Sequence, residues 1–210
     1  GAGRRWGEGV IRFIDKPPRL SLLEFLYFAG DERFGALGVS TNADTYLPRR
    51  LGPLPTVADA DELQEIVRKV LANESIAPAQ QRLLSPGVSF GGARPKALIN
   101  IDGEQWVIKF SPGDPADVPL IEHATMTLAT RARIKAAATQ AVRLTDGHAV
   151  AIRRFDRRAG ERVHSLTAFV ALRAAAERYG YPELAQLLRR RGVTDRDTYL
   201  GDMRELFRRM

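Results

Sequence analysis

Apolar residues recur at helical spacing in the stretch that begins at Thr56. Acidic residues stand near its start, and Arg68 and Lys69 stand near its end, which suits the dipole of a helix. The pattern therefore predicts a helix here, and a second short helix is predicted over residues 78–84. The apolar positions that share one helical face are Val57, Leu63, Ile66, Val67, Val70 and Leu71.

A shorter apolar segment closer to the N-terminus, residues 21–28, also predicts a helix. Ser21 and Glu24 have the spacing of a capping box, in which each side chain bonds the backbone N–H of the other residue. Residues 36–39 are expected to form a brief strand. The prolines between residues 48 and 55 indicate a linker.

From residue 97 the pattern changes to that of strands. Two apolar runs, 97–99 and 106–110, flank Asp102-Gly103, a dipeptide typical of tight hairpin turns. An amphipathic helix is predicted over residues 117–134. Further strands, 138–144 and 148–155, are separated by Asp146-Gly147, and the segments 165–179, 182–191 and 195–210 are all predicted to be helical.

A sheet with one helix, followed by helices only, predicts an α+β fold with two lobes. We expect an N-terminal segment and linker over residues 1–55. An antiparallel sheet with one helix should occupy residues 56–158. Residues 159–210 should form the opening helices of an all-α lobe.

The composition is that of a globular protein and excludes several classes of site. Of the 210 residues, 44% are hydrophobic and 27% are charged, and there are no cysteines. The chain therefore has no disulfides, no thiolate zinc site and no thiol nucleophile. No apolar run approaches the roughly 20 residues that cross a bilayer, so we expect no membrane contact and a cytoplasmic location.

Positive charge is concentrated in the C-terminal third. The formal net charge is +7, and residues 153–210 contribute 14 arginines against 8 acidic residues. Such a region suits nucleic acid or an acidic partner, and it equally suits solvated helix faces.

The glycine-rich stretch before the hairpin is the first candidate for binding chemistry. Gly91 and Gly92 let the backbone approach a ligand closely, and successive N–H groups can form a nest for an anion. Arg94 and Lys96 would neutralise phosphate charge. Taken alone, the stretch is equally typical of an ordinary turn.

The residues that follow favour a phosphate site. Lys109 lies on the return strand of the hairpin, among apolar neighbours, and Glu122 lies on the next helix. A lysine that points inward from such a strand is costly without a counter-charge, which Glu122 would supply. Glycine-rich loop, strand lysine and helix glutamate also follow the order of the small lobe of protein kinases. The alternative is a surface lysine at a strand end.

Together these segments resemble the HipA family of serine/threonine kinases, several members of which are toxins of bacterial type II toxin–antitoxin systems. The resemblance implies a kinase-like small lobe followed by a helical large lobe. The segments that carry it are Asp31–Leu37, Val88–Ala97, Trp106–Phe110, Glu122 and Arg153–Arg157.

The resemblance implies ATP and Mg²⁺ as cofactors. Lys109 would hold the ATP phosphates and Glu122 would orient it. Ser89 matches the serine that some members autophosphorylate, which expels the loop and inactivates the kinase. The phosphate-binding loop would comprise Ser89, Phe90, Gly91, Gly92, Ala93, Arg94 and Lys96, and the hinge that contacts adenine would include Arg153, Arg154 and Phe155.

The sequence also departs from the family pattern. The family places a catalytic Asp, an Asn five residues later and a Mg²⁺-binding Asp after the opening helices, and none of them occurs within these 210 residues. We therefore expect a chain truncated before the catalytic segment, inactive by itself and without metal ligands of its own. His123, His148 and His164 are scattered and are expected to be structural or exposed.

Three functions remain open from the sequence. The first is a HipA-like kinase chain whose partner is a helix-turn-helix antitoxin and, through it, operator DNA. The second is a catalytically inactive module that binds the antitoxin or associates with itself through exposed helices. The third is a basic nucleic-acid binder.

Overall fold

The computed structural model describes residues 6–19, 21–49, 52–84, 92–192 and 195–209. The chain divides into two compact units. The first comprises residues 1–126 and 137–164, and the second comprises residues 127–136 and 165–210. The N-terminal segment and the sheet, which the sequence pattern divides at residue 55, thus belong to one compact unit.

A four-stranded antiparallel sheet forms the centre of the first unit. Its strand order is β1-β2-β4-β3, so the two predicted hairpins lie side by side. Asp102 and Gly103 both have positive φ angles, of 51° and 81°, as the tight turn between β1 and β2 requires. The strands are β1 (Lys96–Ile101), β2 (Glu104–Lys109), β3 (Thr139–Arg143) and β4 (His148–Arg153), and a separate small hairpin holds β5 (Arg157–Arg158) and β6 (Glu161–Arg162).

Five helices begin within the first unit. Two of them match the sequence expectations closely: the helix after Ser21 has the predicted capping box, and the helix at Pro78 has the predicted bounds. They are α1 (Trp6–Ile14), α2 (Leu22–Phe28), α3 (Ala60–Ala72), α4 (Pro78–Leu84) and α5 (Val118–Arg131). Residues 36–39 were predicted to form a strand, but they do not form one, because they pair with no other strand among the described residues.

The main hydrophobic core joins α1, α3 and α4 to one face of the sheet. Leu63, Ile66 and Val67 of α3 are completely buried, as the helical spacing predicts. Full burial of one such side chain stabilises the fold by roughly 1.5–3 kcal/mol. The indole N–H of Trp6 donates a 2.7 Å hydrogen bond to the carbonyl of Lys96, which fixes α1 against the start of β1.

The second unit is helical. It contains α6 (Ala168–Ala174), α7 (Tyr181–Arg191) and α8 (Arg196–Arg208). The predicted helix over 165–179 is shorter than expected, because Ala176 takes a left-handed conformation with φ of 55°. Asp195 begins α8 as predicted, since its side chain accepts a 2.8 Å hydrogen bond from the N–H of Thr198.

The described residues thus form a mixed α+β fold with an antiparallel sheet and eight α-helices. None of the helices in this part of the chain is long and apolar enough to cross a membrane.

Candidate functional site

Lys109 and Glu122 meet beside the end of β2. Nζ of Lys109 lies 2.6 Å from Oε1 of Glu122, and both side chains are about 30% exposed (29% and 31%). The contact expected from the sequence is therefore present. A partly buried pair of this kind holds the ammonium in one position while leaving a side of it open to a ligand.

Lys96 adds a second cation to the same place. It lies opposite Lys109 in the antiparallel register of β1 and β2, so the two side chains share one face of the sheet. Lys96 is only 6% exposed. Burial lowers its pKa, the charge of Lys109 lowers it further, and Glu122 acts in the opposite direction. Two ammonium groups around one carboxylate make this end of the sheet suitable for an anion.

The described end of the glycine-rich loop approaches these lysines. Gly92 has a φ of 103°, and a Cβ atom at this position would lie 3.2 Å from Nζ of Lys96. A side chain here would be strained and would crowd the ammonium, which explains why glycine suits the position. Ala93 is exposed beside it. Ser89, Phe90 and Gly91 lie outside the described residues.

The next row of the same sheet face is apolar. Leu98, Val107 and Ile152 are register neighbours across β1, β2 and β4, two residues along the strands from the lysines and Val150. Two residues of a strand span about 7 Å. Val107 and Ile152 are partly exposed, so this row offers an apolar surface next to the cationic one.

Arg94 does not join Lys96 and Lys109. Its guanidinium donates a 2.5 Å hydrogen bond to the hydroxyl of Ser111 and a 2.9 Å hydrogen bond to the carboxylate of Asp114. Hydrogen bonds from Ser111 and then Arg94 hold the pKa of Asp114 below its usual value. Arg94 therefore neutralises a carboxylate of the neighbouring loop, and only a rotation would turn it toward a phosphate.

The segment expected to form the hinge is held mainly by internal contacts. The N–H groups of Arg153 and Arg154 donate to the carbonyls of Ala138 and Gln105, so neither is available to a base. A base at this strand end would use the N–H of Phe155 or the carbonyls of the segment. The Phe155 ring is 64% exposed and contacts the edge of Phe34.

The guanidinium of Arg154 is bound by groups of the protein itself. Its side chain is 1% exposed and forms a 2.7 Å ion pair with Asp156. It also donates to the carbonyls of Glu32 and Arg33, at 3.1 Å each. The sequence did not indicate this role, although an arginine and an aspartate two residues apart after an apolar strand are compatible with a buried pair.

The start of α5, which carries Glu122, is fixed by a contact that sequence reasoning missed. Asp117 accepts a 3.1 Å hydrogen bond from the N–H of Leu120, and its other oxygen lies 2.6 Å from Nδ1 of His148. Burial acts to raise the pKa of Asp117, but the bonds from His148 and Leu120 outweigh it and lower the pKa. Histidine on β4 thereby holds the beginning of α5 in place.

Side chains that could bind a metal ion are not clustered in the part of the chain that the structure describes. Across the described residues, no cluster of three or more His, Asp or Glu side chains has the arrangement of a metal site.

A family model described as "HipA-like C-terminal domain" matches residues 88–210. The match begins within the glycine-rich loop and includes Lys96, Lys109, Glu122 and Arg153–Phe155. No curated protein and no solved structure matches the chain.

Proposed function

Because the chain belongs to the HipA family, through its HipA-like C-terminal domain, we propose that it binds ATP as part of a HipA-like serine/threonine kinase of a toxin–antitoxin system. The observation that carries the proposal is the 2.6 Å pair of Lys109 and Glu122 with Lys96 as its cross-strand neighbour. Kinase small lobes hold the α- and β-phosphates with such a pair.

The charges of the site favour a polyphosphate over a neutral ligand. The charge of Lys109 lowers the pKa of Lys96, so the two ammonium groups repel each other, and an anion bound beside them would reduce that repulsion. Gly92 permits the backbone of the loop to approach the same anion. The phosphate-binding loop would continue through Ser89, Phe90, Gly91 and Ala93, with Ser89 as the site of autophosphorylation.

The apolar row beside the lysines suits the base of a nucleotide whose phosphates contact those lysines. Val107 and Ile152 would contact the adenine ring, with the fully buried Leu98 next to Val107, and the segment 153–155 would lie at the edge of the ring. In this arrangement the lysines would bind the triphosphate, the apolar row would contact the base, and the end of β4 would form the hinge.

ATP would supply the phosphoryl group, and Mg²⁺ would be bound together with it through its phosphates. The residues of this chain that we assign are those that bind and orient the nucleotide. Lys96 and Lys109 would bind the negatively charged phosphates, and Glu122 would hold the ammonium of Lys109 in position.

Isothermal titration calorimetry with Mg·ATP tests the proposal. We expect saturable binding by the wild-type protein and at least tenfold weaker binding by Lys109→Ala. Lys135→Ala is the matched control, because its side chain is exposed and lies outside the site. A folded wild-type protein that does not bind Mg·ATP, or a Lys109→Ala variant that binds it normally, would overturn the proposal.

A second candidate function is a non-catalytic module that binds a helix-turn-helix antitoxin and, through it, associates with operator DNA. The observation that favours it is apolar exposure in the second unit: Phe169, Tyr179 and Phe207 are 54%, 61% and 73% exposed. Exposed aromatic groups of this kind mark interaction surfaces, including those of self-association. Antitoxin binding that persists in Lys109→Ala without ATP would support this function.

A further inference from the structure

A polar cavity lies at the turn end of the β1–β2 hairpin. It has a volume of about 400 Å³ and is bordered by the hairpin turn, the end of β4, the β5–β6 hairpin and residues 31–32. Gln105, in its wall, is four residues from Lys109 along β2, which corresponds to about 13 Å of strand. The cavity is therefore separate from the paired lysines, although Arg153 and Arg154 of the proposed hinge line it.

Part of the cavity wall is held rigid by a buried ionic network. Asp156, with a side chain 2% exposed, lies 2.7 Å from Arg154 and 3.0 Å from Arg157. Arg157 also donates to the carbonyls of Arg33 and Gly35, at 2.9 and 3.2 Å. These two guanidiniums are committed to the protein, so they shape the cavity and contribute positive potential without having to move.

Two other arginines of the wall are available to a ligand. The Arg158 guanidinium has neither a hydrogen bond nor an ion pair with any residue that the structure describes, and it is exposed. Arg153 has only a loose contact with Glu104, at 3.4 Å, and half of its side chain is exposed (53%). Exposed guanidinium groups without strong partners bind carboxylates and phosphates with paired hydrogen bonds.

Glu32 restricts which anion fits. Its Oε2 atom is buried in the wall and accepts no hydrogen bond from the described residues, although Arg154 and Arg157 lie 3.6 and 3.9 Å away. A buried acceptor without a donor is costly. A ligand cannot reach this closed-off oxygen, but the Glu32 side chain is 30% exposed and lines the cavity. A ligand that carries an O–H or N–H donor beside its anionic group would hydrogen bond the open side of this carboxylate, whereas a bare oxyanion would be repelled by its charge.

We propose that this cavity binds a small molecule with an oxyanion, held by Arg158 and Arg153, and a hydrogen-bond donor directed at Glu32. Five guanidiniums line the cavity, against the carboxylates of Asp31, Glu32 and Glu104 in the wall and that of Asp156 behind Arg154 and Arg157. The remaining positive charge attracts a phosphate or carboxylate more than a neutral base. The cavity is large enough for a molecule that extends beyond the two groups. The proposal does not depend on nucleotide binding at Lys109.

Backbone amide NMR spectra of the full chain test this site with three simple probes. Glycolate and hydrogenphosphate each combine an oxyanion with a donor, and acetate has the oxyanion alone. At constant ionic strength, we expect at least one of the first two to shift the signals of Gly103 and Gly160 saturably and more tightly than acetate. The probe that binds identifies a carboxylate or a phosphate as the anionic group.

Variants test whether the shifts of the NMR signals arise from binding in this cavity. Arg158→Gln should weaken it at least tenfold, whereas Arg173→Gln, an exposed arginine outside the cavity, should leave it unchanged. Lys109→Ala should also leave it unchanged, so a failure of the nucleotide proposal does not affect the result. If no probe shifts these signals, if acetate binds as tightly as both others, or if Arg158→Gln binds normally, the assignment is wrong.

Discussion

The backbone N–H of Gly35 donates a 2.8 Å hydrogen bond to Oδ2 of Asp156, which lies 121 residues later in the chain. Gly35 has a φ of 77°, a conformation that favours glycine. The same carboxylate pairs with Arg154 and Arg157, and these arginines bond the carbonyls around residue 33. A single buried carboxylate thus joins the N-terminal segment to the strand end next to the candidate nucleotide site.

Removal of this carboxylate should strongly destabilise the first unit. In Asp156→Asn, two largely buried guanidiniums would lose their nearest counter-charge while the side-chain shape is kept, and only Glu32 would remain, at 3.6 and 3.9 Å. Breaking a buried ion pair from one side costs about 3–5 kcal/mol. Urea unfolding measures the effect, with Asp44→Asn at an exposed position as the control. A loss below about 1 kcal/mol would show that the network is not a stabilising element.

The same carboxylate predicts a pH dependence of stability. Burial alone would raise the pKa of Asp156, but the bonds from Arg154 and Gly35 and the charges of Arg154 and Arg157 outweigh it, so its pKa lies below 3.8 in the folded protein. The carboxyl group of Asp156 therefore binds its proton more tightly in the unfolded state than in the folded state. The stabilisation is therefore present above pH 3.8 and is lost as the pH falls through the folded pKa.

We expect the difference in unfolding free energy between the wild-type protein and Asp156→Asn to shrink on acidification from about pH 7 toward about pH 3. Urea titrations at a series of pH values measure it. A difference that stays constant over this range would contradict the assigned protonation behaviour.

Local patterns were sufficient to predict much of the fold. The Asp102-Gly103 turn, the capping box of Ser21 and the helix after Pro78 depend on neighbouring residues, which the sequence displays directly. The pairing of Lys109 with Glu122 was also predictable, since a lysine among apolar neighbours requires a counter-charge and the next helix supplies one.

Features that depend on tertiary contacts were not predictable. The bond from Gly35 to Asp156 joins segments more than a hundred residues apart, and no local pattern specifies it. Lys96 became the neighbour of Lys109 only once the strand register was known. Residues 36–39 have a strand-like composition, but a strand also requires a partner, and in that segment the carbonyl of Leu37 instead accepts bonds from Arg33 and Arg162.

Glu122→Gln should separate the role of Glu122 in binding from any structural role. The pair with Lys109 is partly exposed, so its loss should cost no more than about 1 kcal/mol of stability. Affinity for Mg·ATP should fall about tenfold, which equals about 1.4 kcal/mol, because Lys109 is no longer held in position. Calorimetry and urea unfolding measure the two quantities, with Glu65→Gln on α3 as the control. Unchanged affinity would remove Glu122 from the proposed site.

Lys96→Met should change stability and ligand binding in opposite directions. Burial and the charge of Lys109 lower the pKa of Lys96, so its ammonium form costs folding free energy at neutral pH, and this cost diminishes only as the pH rises toward 10.5. Methionine keeps a similar length without the charge, and we expect the unfolding free energy to rise by about 1 kcal/mol. Affinity for Mg·ATP should fall at least tenfold, because one of the two cations is gone.

Lys135→Met, at an exposed position, should change neither quantity. A Lys96→Met protein that is less stable than the wild type would mean that the buried ammonium supports the fold, and would contradict the expected cost of its burial.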